Sequence, residues 1–332
     1  MISKKISETE AVAIFINLFC AKLFLITPKD FVDLTGSGAI IFVVILFALA
    51  FIFFSLYIRK NAFRIAESKT FLIIISSILI VYGAITLSQL VYYAKVIWFI
   101  KSPLPFLTIP FAVCMVLAAL HKFCTIGKIN GFFVPIIYIS VILITLTSYK
   151  AFDFTSLTPV FGKGGMNMIK STGLLLSSVF EFILLLFLPQ ITDGSHKKTG
   201  FLALLFSSVI FVFVIGCYLL AGGDAKDLPL LYVIRSGFLG KSDSMFLILY
   251  AVSGFLYLGS ILTFASLAFC KAFKINDQKN ITLPLSLIII SLSGITFFSP
   301  EGKLFLKIFS SVLWAFPFLI PVIFIIFKRE RK

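Results

Sequence analysis

The sequence predicts an all-α integral membrane protein of about ten transmembrane helices, arranged as a five-plus-five inverted repeat. Hydrophobic residues make up 60% of the 332 residues and charged residues only 13%, and the mean hydropathy is +1.11. One soluble core could not bury so many apolar side chains, so lipid must be the solvent. Ionisable residues inside the apolar runs occur in the first and the sixth run, which are equivalent places in two sets of five.

The predicted helices follow the apolar runs of spanning length, and turn-forming residues such as Asp193-Gly194-Ser195 separate them. These runs cover about 9–28, 38–58, 71–94, 104–122, 131–150, 172–190, 200–221, 243–270, 282–299 and 303–327. We expect a single membrane domain over 1–332, because no loop is long enough for a soluble domain. It is divided into a first repeat (about 1–150), an external loop (about 151–171), a second repeat (about 172–327) and a basic cytoplasmic tail (328–332).

The formal net charge of +15 resides in the loops, because long stretches such as 71–90 and 200–222 contain no charged residue. In a membrane protein, this pattern indicates cytoplasmic loops beside anionic headgroups rather than nucleic-acid binding. Segments on the side of the N-terminus carry more Lys and Arg than the opposite segments, and the tail adds to this excess. The bias predicts that both termini are cytoplasmic.

The sequence contains no pattern typical of a metal site, a cofactor site or an enzyme active site. Its five cysteines show no CxxC spacing and its two histidines lie at predicted helix ends beside lysines. The sequence contains no phosphate-binding glycine loop or HExxH motif, and its loops carry no carboxylate pair placed for acid–base chemistry. We therefore expect no metal, no cofactor and no catalytic activity.

Two ionisable side chains lie inside apolar runs, Lys22 before Pro28 and Glu181 before Pro189. A charge near the centre of a membrane helix costs about 2.5–3.5 kcal/mol, so each needs a partner, neutralisation or a polar cavity. A Lys22–Glu181 pair would offset part of both costs and could form a ligand site or a purely structural contact. Two other readings stay open, namely that Lys22 extends to the headgroups and that Glu181 is protonated.

Other polar side chains in the apolar runs are interpreted mainly as contacts between helices. They include Asn17, Ser88, Ser253 and Thr263, while Gly254 and Gly259 would permit close helix approach. From the same set, we take Tyr92, Ser177, Ser178 and Tyr257 as weaker candidates for lining a pocket beside Lys22 and Glu181.

Three segments resemble the GerAB-type spore germination permeases. They are 157–164 (Leu-Thr-Pro-Val-Phe-Gly-Lys-Gly), 180–189 (Phe-Glu-Phe-Ile-Leu-Leu-Leu-Phe-Leu-Pro) and 6–10 (Ile-Ser-Glu-Thr-Glu), the last leading into a helix that ends at Pro28. The order of apolar segments is similar over essentially the whole chain. A Pro-Val-Phe-Gly loop before a membrane helix with a central Glu is not a general feature of membrane proteins.

The resemblance implies an amino acid/polyamine/organocation superfamily fold with discontinuous helices 1 and 6. It also implies a germinant receptor in the spore inner membrane, with a GerAA-like membrane subunit and a GerAC-like lipoprotein as partners. Glu181 matches the family's sixth-helix Glu, and 177–180 would lie at the break in that helix. Family members often have glycine at both breaks, whereas this chain has Phe-Cys-Ala-Lys at 19–22 and Ser-Ser-Val-Phe at 177–180.

Three functions are compatible with these features. The first is a receptor subunit that binds a small germinant, an amino acid, between helices 1 and 6, with Glu181 facing an ammonium group and Lys22 a carboxylate. The second is a proton-coupled amino acid permease in which Glu181 titrates. The third is a scaffold subunit that binds no solute, because a transporter fold alone does not determine function.

Overall fold

The computed structural model describes residues 5–25, 27–59, 62–159, 162–163, 172, 176, 179–222, 228–236 and 243–298. Within these ranges the chain is almost entirely helical. The α-helices in these ranges are α1 (Glu8–Cys20), α2 (Thr27–Thr35), α3 (Ala39–Arg59), α4 (Lys69–Ile97), α5 (Leu104–Leu120), α6 (Lys122–Leu146), α7 (Leu188–Ile191), α8 (His196–Leu220), α9 (Pro229–Arg235), α10 (Asp243–Phe273) and α11 (Lys279–Phe298).

Five helical segments in the described ranges are long and apolar enough to cross a membrane, and three more are apolar but shorter. Apolar side chains on several helices point outward, where only acyl chains would accept them; they include Ile52, Phe106, Leu143, Val209 and Leu287. The predicted all-α membrane class is therefore confirmed. The count of ten is not, because the last predicted helix (303–327) and the basic tail lie outside the described residues. The boundaries of the two repeats stay a prediction.

Helix 1 is discontinuous, as predicted, but it does not end at Pro28. After α1, the chain forms a 3₁₀ turn over Ala21–Phe24, and Leu25 is extended with φ −99° and ψ −152°. A new helix, α2, then begins at Thr27, with Pro28 in its first turn. Proline lacks a backbone N–H, and that group has no partner in the first turn of any helix, so Pro28 favours a new start at this position.

Helix 6, the sixth predicted transmembrane helix (about 172–190) and not α6, shows a related construction in its described part. Phe180–Phe187 is a 3₁₀ segment, and α7 follows with Pro189 in its first turn. Runs of 3₁₀ helix longer than three or four residues are uncommon and often mark a hinge or local strain. Both irregular segments are buried, so they run through the centre of the bundle and not along its lipid-facing side.

The remaining helices enclose these two irregular segments. Helix α10 packs on α4, α5 and α11, while α1 packs on α6 and α8. The predicted close approach along α10 is confirmed, because a Cβ on Gly259 would lie 2.7 Å from the Cβ of Ala118. One short helix, α9, lies between the predicted helices 200–221 and 243–270.

Candidate functional site

Lys22 and Glu181 form an ion pair in the interior of the bundle. Lys22 lies in the 3₁₀ turn of helix 1, and its Nζ is 2.7 Å from Oε2 of Glu181 in the 3₁₀ segment of helix 6. Glu181 is 0% exposed and Lys22 is 6% exposed. Neither side chain therefore reaches lipid or the headgroups, and the reading in which Lys22 extends to the surface is wrong.

Two tyrosines complete the surroundings of the pair. The hydroxyl of Tyr257, on α10, donates a hydrogen bond to Oε1 of Glu181. The Nζ of Lys22 lies 5.4 Å from the ring centroid of Tyr82, on α4, where the π face attracts a cation. Both carboxylate oxygens thus accept a hydrogen bond, and four segments of the chain contribute one side chain each.

The cluster is electrically neutral when both partners are ionised. Each charge alone would be costly at this depth, because an apolar surrounding solvates an ion poorly. Their attraction and the hydrogen bond from Tyr257 offset that cost, whereas removal of one partner leaves a buried charge uncompensated. A ligand group that takes the place of one partner must therefore carry the same charge as that partner. In a zwitterion, the ammonium can take the place of Lys22 and the carboxylate that of Glu181.

A second polar cluster lies on the α1 side of the break. Asn17 accepts hydrogen bonds at Oδ1 from the hydroxyls of Ser253 (3.0 Å) and Tyr138 (3.4 Å), and its Nδ2 donates to the backbone oxygen of Ser253 (3.3 Å). The Sγ of Cys20 donates to the backbone oxygen of Ser207 at 3.9 Å. The interpretation of Asn17 and Ser253 as contacts between helices is confirmed.

The N-terminal residues connect helix 1 to the end of helix 6. The backbone N–H of Ile6 donates to the oxygen of Ile191 (2.9 Å), and the N–H of Asp193 donates back to Ile6 (3.3 Å). Ser7 caps α1 in a capping box with Glu10. Oε1 of Glu8 accepts from the N–H of Ser195 at 2.6 Å. The segment 6–10 noted in the sequence therefore has a structural role, which is to join the start of helix 1 to the turn 191–195.

At the opposite end, the described residues of the loop 153–163, namely 153–159 and 162–163, pack on the turn that follows α2. The hydroxyl of Ser37 donates to the backbone oxygen of Pro159, and the N–H of Lys163 donates to the oxygen of Thr35 at 3.2 Å. Gly162 has φ +52°, and a Cβ there would lie 2.0 Å from the Thr35 oxygen. This position therefore requires glycine, which explains the Gly of the Pro-Val-Phe-Gly segment.

The structure brings together three of the six candidate site residues, Lys22, Glu181 and Tyr257. Tyr92 lies elsewhere, 49% exposed on α4 with its ring against Tyr93. Ser177 and Ser178 lie outside the described residues. Whether any of these residues binds a ligand stays a prediction.

Sequence reasoning missed Tyr82, since a tyrosine within a long apolar helix is not a distinctive signal. Among the described residues, no group of three or more His, Cys, Asp or Glu side chains could hold a metal ion.

The fold and this central cluster define a multi-pass membrane protein whose first and sixth helices meet at a buried ion pair. The chain belongs to the spore germination protein family (Spore_permease), whose model matches residues 40–301. The matched range includes Glu181 and Tyr257 and begins after Lys22. No curated protein matches the chain.

Among solved structures, the chain is similar to Mhp1, a nucleobase-cation-symport-1 family transporter in a closed conformation with bromovinylhydantoin bound. The TM-score is 0.70 at 11% identity, and the match covers 96% of this chain and 80% of Mhp1. At this identity the similarity establishes the fold alone. The family and the structural neighbour are permeases or transporters rather than enzymes.

Proposed function

We propose that this chain is the germinant-recognising membrane subunit of a spore germinant receptor, and that it binds an amino acid between helices 1 and 6. The observation that carries the proposal is the buried Lys22–Glu181 pair with Tyr257 at the helix break. An amino acid carries an ammonium and a carboxylate, so it can exchange partners with both members of the pair and leave no charge uncompensated.

In this mechanism, the amino acid enters between the two broken helices. Its ammonium binds Glu181 while its carboxylate binds Lys22, and backbone groups at the breaks take part of the remaining hydrogen bonds. The bound state then differs from the resting state in the position of helix 1, and germinant shifts the population toward it. A GerAA-like subunit and a GerAC-like lipoprotein would read this change in the spore inner membrane, with both termini of this chain in the cytoplasm.

The test is the germinant dose response of spores whose only receptor contains a variant of this chain. We expect Lys22→Met and Glu181→Gln to raise the half-maximal amino acid concentration at least tenfold, because each loses one charge-assisted contact of about 1.5–3 kcal/mol. Lys101→Met and Glu67→Gln are matched controls, since both side chains are exposed. An unchanged dose response in both site variants, at equal receptor abundance, would reject the proposal.

The tyrosines allow a finer comparison. Tyr257→Phe removes the hydroxyl that binds Glu181, whereas Tyr92→Phe alters a half-exposed residue away from the pair. We expect only Tyr257→Phe to weaken the response. Equal effects of the two substitutions would argue against a site centred on Glu181.

A proton-coupled amino acid permease is the second candidate, and the transporter fold shared with Mhp1 favours it. Uptake of labelled amino acid into proteoliposomes separates the two functions. Uptake that stops when the proton gradient is dissipated supports the permease, while amino-acid-dependent thermal stabilisation without uptake supports recognition. Absence of both supports the third candidate, a scaffold subunit, which the complete burial of Glu181 favours.

A further inference from the structure

A cavity lies where α10 ends and α11 begins, away from the central ion pair. Its volume is about 350 Å³. Lys271, Lys274 and Asn276 line it with exposed polar side chains, while Leu267 and Cys270 line it with buried ones. The end of α10 lies on the same face as the N-terminal residues, because the ammonium of Lys271 donates to Oε1 of Gln190, next to Ile191.

The charges around this cavity are mainly positive. Lys69 lies close by, with its Nζ 5.6 Å from the ring centroid of Phe273, the last residue of α10. Two carboxylates oppose the lysines. Glu67 acts electrostatically on Lys271, while Asp277 accepts a hydrogen bond from the backbone N–H at the start of α11 (3.2 Å). The hydrogen bond to Gln190 uses one of the three N–H donors of the Lys271 ammonium.

Lys274 occupies a backbone position where glycine is ordinarily preferred. Its φ is +56°, and the N–H of Ile275 donates to the oxygen of Cys270 (2.9 Å), the pattern that ends many helices. Glycine adopts this left-handed conformation without steric cost, whereas a residue with a Cβ does not. The chain therefore places a lysine beside the cavity at a cost in backbone energy, which suggests a use for its side chain.

We infer that this cavity binds a phosphate anion, and specifically the headgroup of an anionic phospholipid. The lysines supply the charge that a phosphate requires, and the buried Leu267 and Cys270 supply an apolar surface for the adjoining part of the lipid. Basic pockets between the ends of membrane helices are a recurrent form of headgroup site. Zwitterionic lipid lacks the net negative charge that the lysines select, so it binds more weakly.

The test measures lipid retention by the purified full chain with native mass spectrometry at fixed ionic strength. Phosphatidylglycerol, phosphatidylcholine and free glycerol 3-phosphate are the three probes. We expect phosphatidylglycerol to bind best, and Lys271→Met to raise its Kd about fivefold, the fold-change for one lysine near an anionic surface. Lys128→Met is the matched control, because Lys128 is exposed and does not line the cavity. It lies at the same end of the bundle, since a Cβ on the adjacent Gly127 would contact Ile6.

Lys274→Gly separates a binding role from a structural one. It removes the strained side chain, so the lipid-free variant should melt at a higher temperature and yet bind phosphatidylglycerol about fivefold more weakly. Glycerol 3-phosphate binding with the same dependence on both lysines would support the phosphate site and assign it to a soluble ligand. Binding that does not depend on either lysine, or that Lys128→Met weakens equally, would overturn the inference.

Discussion

The central ion pair predicts strong non-additivity between Lys22→Met and Glu181→Gln. Glu181→Gln keeps the side-chain volume but leaves the Lys22 ammonium without its counter-ion, 2.7 Å away in the native chain. The folded protein can avoid this charge by releasing the proton, which costs an ordinary lysine about 4.6 kcal/mol at pH 7. The corresponding cost of protonating an ordinary glutamate is about 3.7 kcal/mol. Because the remaining side chain can be neutralised at this cost, neither single substitution should lower the unfolding free energy by much more. We therefore expect each to lower it by about 3–5 kcal/mol, which is also the usual cost of breaking a buried pair.

The double variant should lose much less than the sum of the two single variants. It contains no buried charge, and Met and Gln approximate the volumes of the residues they replace, so we expect a loss of about 2 kcal/mol or less. The coupling free energy is then at least about 4 kcal/mol. Equilibrium unfolding of the four detergent-solubilised proteins, with a helical signal followed against denaturant, measures it at constant pH.

Additive losses, within about 0.5 kcal/mol, would refute the reasoning because residues that do not interact behave in this way. Tyr257 provides an internal check on the magnitude. Its hydroxyl remains to bind Glu181 in Lys22→Met, whereas in Glu181→Gln the Lys22 ammonium loses its negatively charged partner and retains the π face of Tyr82. Lys22→Met should therefore be the milder of the two single substitutions.

Three further predictions concern the two ends of the bundle. Gly162→Ala should lower the unfolding free energy by at least about 1–2 kcal/mol, because φ is +52° and the new Cβ would meet the Thr35 oxygen. The loop 153–163 should then become more sensitive to protease, and unchanged proteolysis would contradict its packing on the turn after α2. Ser7→Ala should cost about 0.5–2 kcal/mol in unfolding free energy, because α1 loses its cap, and Ser7→Asn should restore most of it. Hydrogen bonds from Thr155 hold the pKa of Asp153 below its usual range. The protection of the Thr155 amide against hydrogen exchange should therefore persist above about pH 4 and decline as the pH falls further, when the carboxylate is protonated. The same decline in the Asp153→Asn variant would exclude this carboxylate as its cause.

The pairing of Lys22 with Glu181 could be anticipated because charge is rare and expensive inside apolar segments. Once the loop lysines are excluded, two ionisable groups remain in equivalent helices, and pairing is the least costly arrangement for both. The position of Tyr257 could be anticipated only as one of several polar groups. Its role depends on how α10 crosses helix 6, and residue spacing within one helix gives no information about that crossing.

The break in helix 1 shows a different limit of sequence reasoning. Glycine was the expected marker, and Phe19–Lys22 contains none. The chain nevertheless leaves the α-helix at Ala21 and starts again at Thr27. Pro28 marks the break because it lies in the first turn of α2, so the proline that was predicted to end helix 1 instead favours the start of a second helix.

The segment 157–164 was recognisable as a family signature, but its physical role was not. Gly162 lies against the backbone of the turn after α2, which is distant from it in sequence, and only the tertiary structure reveals this contact. In a sequence, a glycine that is needed because a Cβ would clash with a distant backbone segment cannot be distinguished from a glycine in any other loop. Tertiary contacts of this kind decide the choice of residue and leave no periodic pattern.

If the chain binds a germinant as proposed, the contacts of helix 1 predict which part of it responds. Its start is fixed by the backbone bonds of Ile6 and by Glu8, neither of which involves the ion pair. Lys22 lies in the 3₁₀ turn Ala21–Phe24 between α1 and α2. Replacing Glu181 by a ligand carboxylate as the partner of Lys22 would therefore act directly on this turn, which we call the hinge of helix 1. We expect the movement to fall on α2, which follows this turn, and on the described residues of the loop 153–163, which pack after α2. Germinant should therefore change the rate of hydrogen exchange in α2 and in this loop. A change confined to α1 would contradict this prediction, because the response would then lie on the other side of the hinge.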